Sequence, residues 1–399
     1  MRHTEVAIVG GGLAGATAAA MLGRAGFGAV LIDPRPAYPP DFRCEKLDAS
    51  QLALLHKTGL ADQVLPTATR DGEVWIARFG RLVEKRPSDR RGIRYEALVN
   101  TVRAAIPPSV AFVEGKVSAV STSPDRQRVA LANGDEISAR LVVMANGLNH
   151  GLRQAFGIGR VAVSLCHSIS IGFDMVPVGR QAFAFPALTY YPERTTDRVA
   201  YLTLFPVGTA MRANLFVYWD MNDPRLRGFR HDPRAAMAAL MPRLAGQTGD
   251  FEIAGSVKIR PVDLSVSTNH RQPGMVLVGD AFATSCPAAG TGVNKVLTDV
   301  ERLCNVHIPR WLATEGMDEG KIAGFYDDPV KSASDAASTT KAYFLRSLST
   351  EGGVSWRARR WGRFMGQFGI GMLRETRERL AVRSPEPHRS EAAQGGGRA

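Results

Sequence analysis

Gly10, Gly12 and Gly15 follow the apolar run Val6-Ala-Ile-Val and precede an alanine-rich stretch, and Asp33 closes the next apolar run. That residue order makes a phosphate cradle. Gly10 permits a tight turn, Gly12 lets a pyrophosphate approach the backbone, and Gly15 lets a helix lie close on its strand. The free amides at that helix start, those of Leu13, Ala14 and Gly15, favour phosphate oxygens. Asp33 is placed to accept from a ribose 2′-hydroxyl. The spacing alone is weak. With a strand before it, a helix after it and an acid at the end of the next strand, it reads as a dinucleotide site. Another Gly-x-Gly, Gly157-Ile-Gly159, follows the helical Leu152-Arg-Gln-Ala-Phe, with no strand before it, and is read as a false match. One dinucleotide fold is therefore expected.

A second glycine-rich segment lies far down the chain. Val276-Leu-Val-Gly279-Asp280-Ala is followed by Pro287-Ala-Ala-Gly290-Thr291-Gly292-Val293-Asn294. A carboxylate at a strand end can hold the hydroxyls of a polyol. A glycine-rich helix start presents amides and a positive end that would stabilise developing negative charge. This segment resembles the second flavin fingerprint of the single-component FAD-dependent aromatic hydroxylases, the para-hydroxybenzoate hydroxylase-like monooxygenases. Gly279, Asp280, Pro287, Gly290, Gly292 and Asn294 all match it. The pair of segments then implies FAD, with Asp280 at the ribityl hydroxyls and the 287–294 turn at the flavin ring.

Two further segments fit the resemblance more loosely. Asn146-Gly147-Leu-Asn149-His150-Gly-Leu-Arg153 is similar to the family's middle motif, with Asn146 in place of the usual Asp and His150 in place of a serine. Arg43-Cys-Glu-Lys46 lies where the family often places a basic residue against FAD, so Arg43 and Lys46 are candidates. Tyr95 stands where the family often has an arginine. The resemblance implies an FAD-dependent monooxygenase that hydroxylates an aromatic or related small organic substrate. NAD(P)H would bind transiently as co-substrate, and O2 would react through a flavin C4a-hydroperoxide. The cofactor supplies that chemistry; the protein supplies position and exclusion of water. No catalytic base is assigned: Tyr190, Tyr191, His167, Tyr201 and Tyr218 read as packing.

The elements that must position these residues follow from hydrophobic patterning. Residues 5–10, a helix from Leu13 to Ala25 and the strand Ala29–Asp33 form a βαβ unit. Asp48 is an N-cap candidate and Gly59 a stop for the next helix. Strand-like material surrounds Phe79-Gly80, and Tyr95 to Ile106 is helical. Two hairpins are expected next: Ala111-Phe-Val into Lys116-Val-Ser-Ala-Val, then strands about Asn133-Gly134. From about residue 161 to 262 the chain reads as a mostly antiparallel sheet. The expected fold is α/β: a Rossmann-like FAD-binding domain interrupted by an antiparallel substrate domain, with a helical C-terminal region. The expected division is FAD-binding at 1–70, 95–160 and 270–319, a strand insertion at 71–94, the substrate domain at 161–269, the helical region at 320–383 and a disordered tail at 384–399.

Composition bounds the rest. Of 399 residues, 45% are hydrophobic, which suits a soluble globular chain. No apolar run approaches the roughly 20 residues of a membrane span, and the N-terminus has no secretory pattern. Cys44, Cys166, Cys286 and Cys304 show no pairing or metal-ligand spacing, so they read as free thiols of a cytoplasmic protein, and no metal is assigned. The net charge is +12, yet no nucleic-acid-binding motif is found. The cluster Trp356-Arg-Ala-Arg-Arg-Trp361-Gly-Arg363 reads first as a solvated helix face and second as a peripheral membrane contact. Three rival functions stay open: a geranylgeranyl reductase-like reductase of prenyl chains, a flavin-dependent halogenase and a non-enzymatic flavoprotein. Trp75-Ile-Ala-Arg lacks the halogenase Trp-x-Trp-x-Ile-Pro pattern.

Overall fold

The computed structural model of the chain describes residues 1–383, so the tail read as disordered, 384–399, lies outside the described residues. β1 (Arg2–Val9) delivers the chain to the glycine turn, α1 (Leu13–Arg24) is buried along nearly its whole length, and β2 (Ala29–Asp33) lies parallel to β1. The chain then leaves this sheet through β3 (Lys46–Leu47), α2 (Ala49–Lys57), α3 (Ala61–Val64), β4 (Thr69–Arg70), the hairpin of β5 (Glu73–Arg78) and β6 (Arg81–Pro87), and β7 (Arg91–Gly92). Asp48 caps α2 through a reciprocal pair with Gln51, as a capping box does.

α4 (Tyr95–Ala104) leads back to β8 (Ala111–Glu114), β9 (Val117–Ser121), β10 (Gln127–Leu131) and β11 (Glu136–Met144). The first sheet has the order β8-β2-β1-β11-β10-β9. β10 and β11 form the hairpin expected about Asn133-Gly134. β8 and β9 do not form the other: β8 runs parallel to β2, and β9 pairs with β10. Alternation marks a strand but does not choose its partner. Here burial decides, because Val117, Val120 and Val129 of the β9–β10 strands pack on Val30 and Ile32 of β2. On the opposite face, Ala18 and Leu22 of α1 cover Val6, Ile8 and Leu31.

α5 (His150–Gln154) leads to β12 (Arg160–Pro177), β13 (Leu188–Tyr190), β14 (Val199–Val207), β15 (Ala210–Val217), α6 (Pro224–His231), α7 (Pro233–Leu240), α8 (Ala245–Thr248) and β16 (Phe251–Ser267). The second sheet has the order β16-β12-β15-β14-β13-β5-β6 and is antiparallel except where β13 meets β5. One face carries Ile169, Ile171, Phe173, Leu204 and Leu215 and packs on Phe229 of α6 and Met237 of α7. Strict alternation leaves Ser170, Tyr201, Phe205, Arg212 and Asn214 on the other face.

β17 (Met275–Leu277) then returns to the first sheet beside β11. α9 (Gly292–Arg302), α10 (Ile308–Leu312), α11 (Glu319–Tyr326), α12 (Pro329–Thr350) and α13 (Val354–Arg383) make the helical C-terminal region. α12 lies along α9 and reaches β14, while α13 lies on β6. Phe79, at the β5–β6 turn, stacks on Trp361 of α13 with ring centroids 5.8 Å apart. Among the described residues, no helix is long and apolar enough to cross a membrane.

Candidate functional site

The three glycines of the first turn face different surroundings. Gly10 has φ +103°, and a side chain there would meet the Ala145 carbonyl oxygen at 2.7 Å. A side chain on Gly15 would collide with the carbonyl of Gly10. At Gly12 it would meet nothing nearer than Tyr38 at 3.9 Å. Two of the glycines therefore serve close packing, and the third leaves an open face. The first bond inside α1 runs from the Ala16 amide to Gly12 O at 2.9 Å, so the amides of Leu13, Ala14 and Gly15 lie ahead of it. Asp33 accepts from the Gly11 amide at 2.7 Å and pairs with Arg103 at 3.3 Å. Arg103 also donates to Gly11 O at 2.7 Å. The sequence reading missed this arginine because it sits within an ordinary amphipathic helix.

The second segment is braced from below. The Gly279 amide donates to Asp299 Oδ2 at 2.9 Å, and Asp299 is paired with Lys331 of α12 at 2.8 Å. Lys331 also meets Asp335, which pairs with Lys295. Gly290 has φ +65°, and nothing lies within 4 Å of a side chain built on it. α9 starts at Gly292 without a side-chain cap. The first helical bond here is from the Lys295 amide to Thr291 O at 3.0 Å, so the amides of Gly292, Val293 and Asn294 stay free of it. Thr291 itself is tied to Ser338, and Pro287 opens the short turn before Gly290.

The two segments meet. A side chain on Gly279 would touch Ala14 at 3.7 Å. Arg43 donates to Asp280 at 2.8 Å and to Asp41 at 2.6 Å, and Arg260 also holds Asp41 at 2.8 Å. Burial opposes the Arg43 charge, but Tyr95, Asp280 and Asp41 together hold its pKa above the ordinary value. Gln51 of α2 donates to both Gly290 O and Asn294 Oδ1 at 3.0 Å, and Asn294 donates to Ser50 at 2.8 Å. Asp41, Gln51 and Arg260 carried no sequence signal, since each matters only through a partner distant in the chain.

Lys46 departs from this cluster. Its ammonium lies 5.3 Å from the Phe205 ring on the second sheet. No described carboxylate comes within ion-pair distance of it. Burial, and then the Arg90 guanidinium, lower its pKa to about 7. Beside it, buried Glu45 binds Arg212 at 2.6 Å, and Arg212 reaches Asp174 at 3.3 Å. Tyr201 lies among Tyr191, Cys286, Arg90 and Cys44, and burial raises its pKa. Its hydroxyl donates to Ala288 O at 2.5 Å. Tyr218 and His167 flank the same loop, each with a buried polar atom that has no hydrogen-bond partner. The polar face of the second sheet thus meets the 43–46 strap at one place and the 286–290 turn beside it.

The middle motif closes on itself. Buried Arg153 donates to Asn146 Oδ1 at 2.8 Å and to Gly147 O at 2.7 Å. With an amide rather than a carboxylate beside it, burial and Arg160 lower its pKa to about 10. Gly157 is a turn residue with φ +72° after α5, so the second Gly-x-Gly has no strand before it.

The profile described as FAD binding domain matches residues 3–306, which spans both segments and the sheet between them. The chain belongs to the FAD binding domain family. FAD is its cofactor, and the chain is an FAD-dependent oxidoreductase of the monooxygenase type. It is similar to 3-demethoxyubiquinol 3-hydroxylase of Escherichia coli (strain K12), 27% identical over 321 residues, 76% of this chain and 79% of that one. It is also similar to 3-amino-4-hydroxybenzoate 2-monooxygenase PtnB3 of Streptomyces platensis, 26% identical over 345 residues, 81% of this chain and 83% of the relative. In fold it is similar to p-nitrophenol 4-monooxygenase PnpA from Pseudomonas putida DLL-E4, with a TM-score of 0.73, 17% identity and coverage of 96% of this chain and 98% of the other. The α/β architecture with an inserted antiparallel sheet and a helical C-terminal region is thereby established.

Proposed function

We propose that this enzyme hydroxylates an oxygen-bearing aromatic ring, using NADH or NADPH as electron donor and O2 as oxygen source. One observation carries the reading: the two glycine-rich segments, distant in sequence, meet where a side chain on Gly279 would touch Ala14, and the second continues into the turn whose Ala288 O binds Tyr201 on the polar face of the second sheet. In this reading Gly10, Gly12, Leu13, Ala14 and Gly15 hold the pyrophosphate and Asp33 the ribose. Arg43 and Asp280 hold the middle of the cofactor. The turn from Pro287 through Gly290, Thr291, Gly292, Val293 and Asn294 holds its reactive end. The open faces of Gly12 and Gly290 leave room for such a group. When bound, FAD supplies electron transfer and oxygen activation.

The chain's own residues do the rest. Tyr191, Tyr201 and Phe216 form a row of rings with centroids 6.1 and 5.1 Å apart, a surface for a flat substrate. The packed strap and turn exclude water from that surface. The names of the two relatives, a quinol hydroxylase and a hydroxybenzoate monooxygenase, support a ring that already carries oxygen. With one nucleotide fold, NAD(P)H has no dedicated domain and binds transiently. The deciding experiment measures NADH and NADPH oxidation together with O2 uptake over phenols, hydroxybenzoates and quinols. Substrate-stimulated uptake with a hydroxylated product is expected. A flavin-loaded protein that no ring stimulates would overturn the reading.

A peripheral membrane contact is proposed for α13. Val354, Trp361, Met365 and Phe368 are exposed and fall on one side of a helix by spacing. Residues 352–373 carry four arginines and no acid.

A further inference from the structure

Lys46 lies at the site but is not used by the cofactor cluster. Arg43, three residues earlier, already bridges Asp41 and Asp280. The pairing of β3 with β7 holds Lys46 in a short strand, and its ammonium lies over Phe205 instead. Phe205 is buried and stands opposite Arg212 in the β14–β15 register, on the same face as Tyr201. Tyr201 counts both Cys44 and Arg90 among its neighbours, and Lys46 counts the same two. The lysine therefore borders the aromatic row at the point where the 43–46 strap meets the sheet.

A half-buried ammonium ordinarily has a counter-ion. The groups facing Lys46 are Cys44 from the strap, Arg90 from the loop before β7, Asp71 from the turn before β5 and Asp48 from the cap of α2. Asp71 Oδ2 is bound to Arg90 at 3.0 Å and to Ser88 at 2.9 Å, and its buried Oδ1 has no hydrogen-bond partner. Asp48 is bound to the α2 amides and to Ser50. Burial raises the Cys44 thiol to about 11, so it is a neutral neighbour. Among the described residues, no carboxylate comes within ion-pair distance of Lys46, and Asp71 and Asp48 act on it only from farther off.

We propose that Lys46 takes the acidic hydroxyl of the aromatic substrate, holding it as a phenolate against an ammonium. This rests on the hydroxylase reading above and narrows its substrate class to phenols and hydroquinols. In the step, the phenol O–H bond breaks and an N–H bond forms on Lys46 Nζ. The neutral amine becomes an ammonium, and the electron pair stays on the phenolic oxygen. No oxidant or reductant is consumed. The low pKa of Lys46 makes the neutral amine available near neutrality, and the phenolate supplies a counter-ion at contact distance. Loss of the proton enriches the ring in electrons, which favours attack by an electrophilic oxygen.

The FAD-loaded protein is titrated with p-nitrophenol, whose ionised form is read directly by its visible absorbance, and with p-nitroanisole, which has no proton to lose. Bound p-nitrophenol is expected to ionise at least about one pH unit below the free compound, the size of effect an adjacent opposite charge gives. Lys46→Met should return ionisation to the free value or above and weaken p-nitrophenol about tenfold, with p-nitroanisole unchanged. Lys46→Arg, which keeps the cation, should retain the lowered ionisation. Equal ionisation in wild type and Lys46→Met overturns the proposal, as does loss of the flavin from Lys46→Met, which would return the lysine to the cofactor. A wild-type protein that never holds FAD fails the hydroxylase reading itself. A yellow wild type that binds phenol in its ordinary ionisation state fails only the Lys46 assignment.

Discussion

Gly12 and Gly15 share a residue type and a motif but do different work. A side chain at Gly15 would run into the Gly10 carbonyl, so that position constrains the fold. At Gly12 the nearest atom is 3.9 Å away, so a side chain there harms only what binds in the space. Gly12→Val is therefore expected to fold with an unchanged circular dichroism spectrum and to purify with little FAD. Overpacking costs about 1–3 kcal/mol, roughly ten- to hundredfold in affinity. Flavin absorbance per protein measures it, and full occupancy would remove Gly12 from the proposed cradle. These glycines were legible in sequence because their spacing encodes backbone geometry. Arg43 and Lys46 were not separable, since both are cations in one short segment. Only the pairing of β3 with β7 shows that one turns to Asp280 and the other to Phe205.

At the scale of elements, alternation within β12, β14 and β15 made an antiparallel sheet legible, and the structure adds which face is which. The apolar face is taken by α6 and α7, which leaves the polar face for the site. The partners of β8 and β9 were not legible, because both segments are strand-like and their pairing depends on burial against β2. α13 could be read as a helix, but not its docking. It rests on the β5–β6 hairpin through Phe79 and through a bond from Arg78 to Gln367. Its outward side chains belong to the membrane proposal. The protein is expected to sediment with phosphatidylglycerol vesicles and not with phosphatidylcholine vesicles. Met365→Asp, on the outward side of the helix, should reduce that binding about tenfold, the order of one lost apolar side chain. Equal sedimentation of both proteins, or none on anionic vesicles, would leave α13 as a solvated helix. Salt should weaken the association.

At the scale of the molecule, the proposed FAD site joins parts of the chain that only the fold brings together. Arg43 and Asp280 are 237 residues apart. Gln51 reaches Asn294 across 243 residues. A ligand gripping both parts stabilises the whole. FAD at about a hundredfold over its Kd adds about 2.7 kcal/mol to the folded state. Calorimetry should show the entire transition moving upward by a few degrees. A scan in which only part of the protein shifts would mean that the cofactor is held by one segment alone. The same connectivity sets an order on synthesis. β1 leaves the ribosome before β11, which it needs on one side, and β11 needs β17, which follows the β12–β16 strands of the second sheet. Contacts this distant in sequence form late, and domains emerging from the N-terminus fold first when they can. The nucleotide fold cannot. Its motif precedes the inserted sheet and its last strand follows it, so the inserted sheet is made before the domain that encloses it is complete, and β11 must wait, its Val142–Met144 edge unpaired, until the whole second sheet has been made.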